Sequence, residues 1–166
     1  MNDKLYISKC REDAVIPKYA NPGDAGMDIY AAEDVIIEPG CTKLVPTGLK
    51  MAIPVGYEVQ IRPRSGISLK TMLRIPNAPG TIDSGYRDEV NVIVHNASIR
   101  QETSDETYFT PDTKGVRHGT YMIRKGDRIA QMVIAKVEYL EPELVESVAD
   151  IGEDRGGGFG STGVTG

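Results

Sequence analysis

The sequence predicts an all-β domain of the sandwich, jelly-roll or barrel type with one short helix. Three observations predict it. Short runs rich in Val, Ile and Tyr recur along the chain, and apolar and polar residues alternate in "YEVQI" and "VNVIV", the period of a half-buried strand. Turn residues, 18 glycines and 10 prolines in 166 residues, are spread throughout and punctuate those runs. A single stretch, "SGISLKTM", reads as a helix.

Taken in order, strands are expected at 4–9 ("KLYISK"), 27–32 ("MDIYAA"), 35–39 ("VIIEP"), 42–53 (broken near Pro46) and 57–63 ("YEVQIRP"). A helix over 65–72 follows, with Ser65 as its candidate N-cap. Further strands are expected at 89–96, 120–125 and 128–140. Residues 97–119 are polar and break the rhythm. So long a connection in a β protein is either a functional insertion or a mobile excursion. The body is expected to span 1–149, with a glycine-rich arm over 150–166. Glycine is the costliest residue to order, so the arm is not expected to fold alone. A pure linker, however, has little use for Arg155 and Phe159.

Composition bounds the function. An apolar fraction of 40% and a charged fraction of 26% are those of an ordinary globule, and the length suits one domain with a real core. A net charge of −5 argues against a nucleic-acid groove, but local arginines can still serve a small anion. Cys10 and Cys41 fit a reducing compartment, and no cysteine or histidine spacing suggests zinc. The start "MNDKLYISKC" has no apolar signal region and no long apolar run follows, so a cytoplasmic protein without a membrane partner is expected.

Four clusters carry possible chemistry. In "RPRSGIS" (62–68), guanidinium, serine hydroxyl and the N–H groups of a helix start form a phosphate cradle. The plainer reading is a capped helix with surface arginines. In "NAPGTIDSGYRDEV" (77–90), Gly80 and Gly85 bracket a tight turn. Asp83 there is either a turn former or a general base, and Tyr86 a flat wall beside a ring. In "KGDRIAQMVI" (125–134), Arg128 reads as an edge charge, and Gln131 needs a partner if buried. In "GDAGMDIYA" (23–31), Asp28 sits in an apolar run. A buried carboxylate must be paired, and the arginines of 62–64 are the candidates.

Each cluster alone is weak, but "AGMDI", "PRSG", "GTIDSGY", "GDRIAQ" and "RGGGFGSTG" occur in that order over nearly the whole chain. This set resembles the five motifs of the trimeric deoxyuridine triphosphatases (dUTP diphosphatases). The resemblance implies a jelly-roll-like distorted β-barrel with a flexible C-terminal arm. It implies a homotrimer with active sites shared between subunits, and hydrolysis of dUTP to dUMP and pyrophosphate with Mg²⁺ held mainly by the substrate. That reaction limits uracil in DNA and supplies dUMP for thymidylate.

Residue by residue, it implies that Asp83 deprotonates the water attacking the α-phosphorus. Arg64, Ser65, Gly66 and Gln131 would hold phosphates. Asp28 would support the metal–water shell without direct ligation. Asn77 and the backbone from Gly80 to Ile82 would read the uracil edge, and Tyr86 would stack under the deoxyribose and exclude a 2′-OH. In the arm, Phe159 would cover the uracil, and Arg155, Gly160, Ser161 and Thr162 would close over the phosphates.

Three departures from the family pattern stand out. The spacing from Arg155 to Gly158 is one residue shorter than usual. Asp88 stands where a glycine is common. The 97–119 segment is longer than the usual hairpin, and is expected to be a docking surface for a protein partner or an extra site wall. The dCTP deaminases, on the same fold, need a glutamate a short way past the aspartate. Here that position is Ile93, flanked by Val92 and Val94, which cannot activate water. A catalytically idle binding module on this fold is the alternative from another class.

Overall fold

The computed structural model describes residues 4–99, 108–154 and Gly156. Among them are eleven strands and one helix: β1 (Tyr6–Lys9), β2 (Gly26–Tyr30), β3 (Val35–Ile37), β4 (Thr42–Pro46), β5 (Leu49–Ala52), β6 (Tyr57–Pro63), α1 (Ser65–Lys70), β7 (Leu73–Arg74), β8 (Gly80–Ile82), β9 (Asn91–Asn96), β10 (Tyr121–Ile123) and β11 (Arg128–Lys136). The all-β expectation with one short helix holds.

The strands form four antiparallel groups: β1-β5, β3-β10, β2-β11-β6-β8 and β4-β9-β7. Most hydrogen-bonded neighbours are far apart in sequence, the mark of a jelly-roll-like winding rather than a meander. Alternation explains the layers. In β9, Val92, Val94 and Asn96 are buried, while Asn91, Ile93 and His95 are half-buried. In β6, Val59 and Ile61 point inward. These residues join Ile29, Ile37, Val45, Tyr121 and Met132 in one core. Burying each large aliphatic side chain contributes about 1.5–3 kcal/mol.

Helix α1 is shorter than expected, and Ser65 does not cap it. Arg64, in an extended conformation, occupies the cap position with no side-chain cap bond. The stop is written in Thr71. Its N–H and Oγ1 both donate to the Ile67 carbonyl (3.0 and 2.8 Å), and its Oγ1 accepts from the Leu73 N–H (3.0 Å), turning the chain into β7. The run from 42 breaks after Pro46, where the Thr47-Gly48 turn separates β4 from β5. The last strand stops at Lys136 rather than 140.

The described part of the 97–119 connection is tied to the core. The Phe109 N–H donates to the Thr120 carbonyl and the Met122 N–H to the Phe109 carbonyl (2.9 and 2.7 Å). The Phe109 and Tyr121 rings meet at 5.9 Å between centroids. The Tyr121 Oη donates to the Arg117 carbonyl (2.8 Å) and accepts from the Met72 N–H (3.3 Å). Buried Asn96 donates to the carbonyls of Ile37 and Gly119 (2.9 and 2.8 Å). The stretch "SDETYF" lies partly outside the described residues. His118 accepts from the Ile99 N–H (3.2 Å) and His95 bonds Thr42 (3.0 Å), both as structural groups.

Candidate active site

The strand register collects a basic cluster on the outer face of the β2-β11-β6-β8 sheet. Asp28 on β2 stands opposite Gln131 on β11, which stands opposite Arg62 on β6. Arg64, just past β6, turns back so that its Nε donates to Asp28 Oδ1 at 3.0 Å, and its Nη1 donates to the Arg128 carbonyl at 3.2 Å. The partner expected for the half-buried Asp28 is therefore Arg64. A second guanidinium joins it. Arg128 Nη1 lies 3.3 Å from Asp28 Oδ2.

Arg128 is not the edge charge its sequence suggests. Three positions apart, Arg128 and Gln131 would face opposite sides of a regular strand. The register slips between Arg128 and Ala130, placing Arg128 opposite Tyr30 and Ala130 opposite Ile29. Ile129 and Ala130 are both buried in succession. The bulge re-aims Arg128 onto the face of Asp28 and Gln131, a common role of bulges beside sites. Two guanidiniums on one carboxylate leave a net positive charge, with Arg128 more than half exposed. Such a cluster can take an anion.

Ser65 and Gly66 open α1 beside this cluster. A Cβ placed on Gly66 would meet nothing within 4 Å, so no neighbour within the described chain demands glycine there.

The second half of the candidate site is built on β8, an edge strand whose outer side presents backbone groups. Gly80 pairs with Ile61 and Ile82 with Val59. Asn77 folds over Gly80, and a Cβ there would stand 3.0 Å from its Nδ2. The turn after β8 carries exposed Asp83 and closes through the Tyr86 N–H donating to the Asp83 carbonyl (3.1 Å). Tyr86 is 40% exposed, and its Oη donates to the Glu89 carbonyl (2.9 Å). Arg87 Nη1 donates to the carbonyls of Ser84 and Tyr86 (2.6 and 2.8 Å), stiffening the same turn. Asp83 lines a cleft of about 400 Å³ with Tyr57, Glu58, Thr81, Ser84 and Lys136 among its walls.

The structure does not bring the two halves together within one chain. The pairing of Ile82 with Val59 puts Asp83 level with the Glu58 end of β6, whereas Arg64 and the Arg62–Gln131 pair lie at the other end. Four residues of β6 separate Glu58 from Arg62, so at about 3.3 Å per residue the two groups stand about 13 Å apart along the strand. Arg155, Phe159, Gly160, Ser161 and Thr162 lie outside the described residues. Arg128 joins the candidate site only through the bulge, which no sequence signal reveals.

Known proteins match over nearly the whole chain. The sequence model of the dUTPase family matches residues 12–103. The chain is 43% identical over 165 residues to the deoxyuridine 5′-triphosphate nucleotidohydrolase of Solibacter usitatus, covering 96% of each. The solved dUTPase of Staphylococcus bacteriophage 80alpha with dUpNHpp superposes with a TM-score of 0.88 at 32% identity, over 99% of this chain and 100% of that one. A point mutant of the dUTPase from phage phi11 of S. aureus, described as coordinating a structural Mg(II) ion, matches with a TM-score of 0.78 at 32% identity, over 87% and 98%.

Proposed function

The chain belongs to the dUTPase family and is a hydrolase acting on dUTP, and from that premise we propose how its residues perform the reaction. Asp83 takes a proton from a water whose oxygen attacks the α-phosphorus. The bond from that phosphorus to the β-phosphate's bridging oxygen breaks, so that dUMP and pyrophosphate leave. A positioned base of this kind contributes about 10²–10⁴ in rate. Arg64, Ser65, Gly66 and Gln131 hold the phosphates against the growing charge. The open space over Gly66 favours close approach of a phosphate to its backbone.

Asn77 and the edge backbone of Gly80 and Ile82 read the uracil. Tyr86 lies under the deoxyribose and rejects a 2′-OH, an exclusion built into the wall rather than into affinity. Arg155, Phe159, Gly160, Ser161 and Thr162 close over the bound nucleotide as an arm on the 1–149 body.

Mg²⁺ carried by the triphosphate would offset part of its charge, and Asp28 is the carboxylate that would stand nearest such an ion through its waters. Both oxygens of Asp28 already accept from arginines, which suits an ion that keeps its waters and is carried by substrate. Asp28 then serves that site by orienting Arg64 and Arg128.

The observation that carries this reading is the separation of Asp83 from Arg64 along β6. One chain holds the base and the uracil edge at one place and the phosphate cluster at another. A homotrimer in which the hairpin of one subunit faces the basic cluster of the next unites them. The stretch after β11 supports such an assembly, because Tyr139, Leu140, Leu144, Val148 and Ile151 are exposed there, more apolar surface than a lone subunit is expected to show.

The role that follows is to limit uracil in DNA and to supply dUMP for thymidylate. The two free thiols, one of them exposed, favour the cytoplasm. No helix among the described residues is long and apolar enough to cross a membrane.

The test is pyrophosphate release with Mg²⁺ from dUTP, dTTP, dCTP and UTP side by side. Turnover of dUTP alone supports both the chemistry and the selection assigned to Asn77 and Tyr86. Comparable turnover of UTP would remove Tyr86 from its role.

A further inference from the structure

The turn that carries Asp83 and Tyr86 is tied to the rest of the fold by a contact from the far N-terminal part of the sequence. Arg11 Nε donates to Glu89 Oε1 at 2.8 Å and its Nη2 to Glu89 Oε2 at 3.3 Å. The Gly48 N–H donates to the same Oε1 at 2.8 Å. Three donors thus fix one half-buried carboxylate. The donors are themselves held. The Cys10 N–H donates to the Gly48 carbonyl (2.8 Å) and the Ala14 N–H to the Arg11 carbonyl (3.1 Å). Gly48 has φ +71, and a Cβ on it would stand 2.6 Å from the Ala14 Cβ, so no other residue fits that seat.

Glu89 also faces the other way. Its carbonyl accepts from Tyr86 Oη (2.9 Å) and from Asn91 Nδ2 (2.9 Å). The residue that anchors the Tyr86 ring is therefore the residue that Arg11 grips. Val90, next in the chain, is pinned separately, its N–H donating to the Leu49 carbonyl (2.8 Å). Arg11 and Gly48 hold the Glu89 carboxylate, and the carbonyl of the same residue holds the Tyr86 hydroxyl.

We propose that Arg11 is a positioning residue for sugar selection, setting the plane of Tyr86 through Glu89. The proposal rests on the reading of Tyr86 as the deoxyribose wall. Asp83 does not depend on the grip in the same way, because the turn closing on its carbonyl is local. Loss of the grip therefore acts on discrimination between deoxyribose and ribose rather than on the chemical step. Glu33, which takes the outer edge of the Arg11 guanidinium, lies on the side away from Glu89 and plays no part.

The experiment is the ratio of kcat/KM for dUTP to that for UTP, measured on the full chain. Arg11→Met, which keeps the apolar stem, lowers the ratio about three- to tenfold, in line with loss of a charge-assisted bond. The saturated dUTP rate stays within about twofold, because only the sugar wall has moved. Arg11→Lys keeps the charge without the fork. It gives an intermediate ratio, and it serves as the second variant should Arg11→Met not fold. Glu33→Gln leaves the ratio unchanged. Adding Arg11→Met to Glu89→Gln lowers the ratio no further than Glu89→Gln alone.

An unchanged ratio in Arg11→Met and Arg11→Lys, or an equal loss for both nucleotides, overturns the role of Arg11 while leaving the enzyme reading intact. Wild-type protein that turns over UTP as readily as dUTP overturns the sugar wall itself.

Discussion

Asp83 lies level with Glu58 at one end of β6, and Arg64 reaches back to Asp28 level with Arg62 at the other, about 13 Å away at the rise of a strand. In the proposed shared site a second copy supplies the other half, and each half can be tested separately.

Replacing the proposed base is expected to remove chemistry and leave binding. Asp83→Asn is expected to lower kcat by about 10²–10⁴ and to leave the affinity for a non-hydrolysable dUTP analogue within a few-fold. Single-turnover rates and calorimetric titration check the two halves. Loss of affinity with retained rate would assign Asp83 to recognition instead.

Asp28→Asn leaves the guanidiniums of Arg64 and Arg128 to repel each other without a shared carboxylate. The KM for dUTP should rise about tenfold, the worth of about one charge-assisted hydrogen bond. Arg128→Ala should move KM in the same direction, because its bulge-directed side chain is part of the same cluster. Steady-state kinetics with each variant decide it. Wild-type KM in Arg128→Ala would make the bulge a matter of folding alone.

Tyr121→Phe acts on stability without touching the site. It strips the partner from the Arg117 carbonyl and the Met72 N–H, at a cost of about 1–3 kcal/mol. Denaturant unfolding should show that loss, with kinetic constants for dUTP unchanged.

Acid should weaken the fold through two surface carboxylates. Hydrogen bonds from Thr110 first and Arg124 second hold the Asp112 carboxyl below its reference of 3.8. Lys125 does the same for Asp13. Both folded-state values are depressed, so the stabilisation is present above the reference and is lost as pH falls through the folded value. The melting temperature should therefore drop as pH falls below 3.8, and Asp112→Asn should flatten part of that drop. An identical acid profile in the variant would remove Asp112 from the account.

Much of this was legible in the sequence. The alternating burial of β9 follows from "VNVIV", and Asp28 in an apolar run demanded the arginine it finds. Other features had no local signature. β7 is two residues long, too short for any periodicity. β8 hides between Gly80 and Asp83, where turn chemistry dominates the reading. Ser65 looks like a cap, but extended Arg64 already occupies that place. Arg128 reaches Asp28 only through a slipped register, which strict alternation forbids. The distance between the two halves of the site depends on which end of β6 each loop joins, a property of pairing rather than of any motif.

The proposed working site combines the Asp83 turn of one subunit with the Arg64 cluster of another. The direct measurement is dUTP hydrolysis by a co-refolded equal mixture of Asp83→Asn and Arg64→Ala subunits, compared with each variant alone. Sharing between subunits predicts that activity returns, to about a quarter of wild type for random assembly of a closed homo-oligomer. A mixture that forms mixed oligomers and remains as inactive as its components would contradict it.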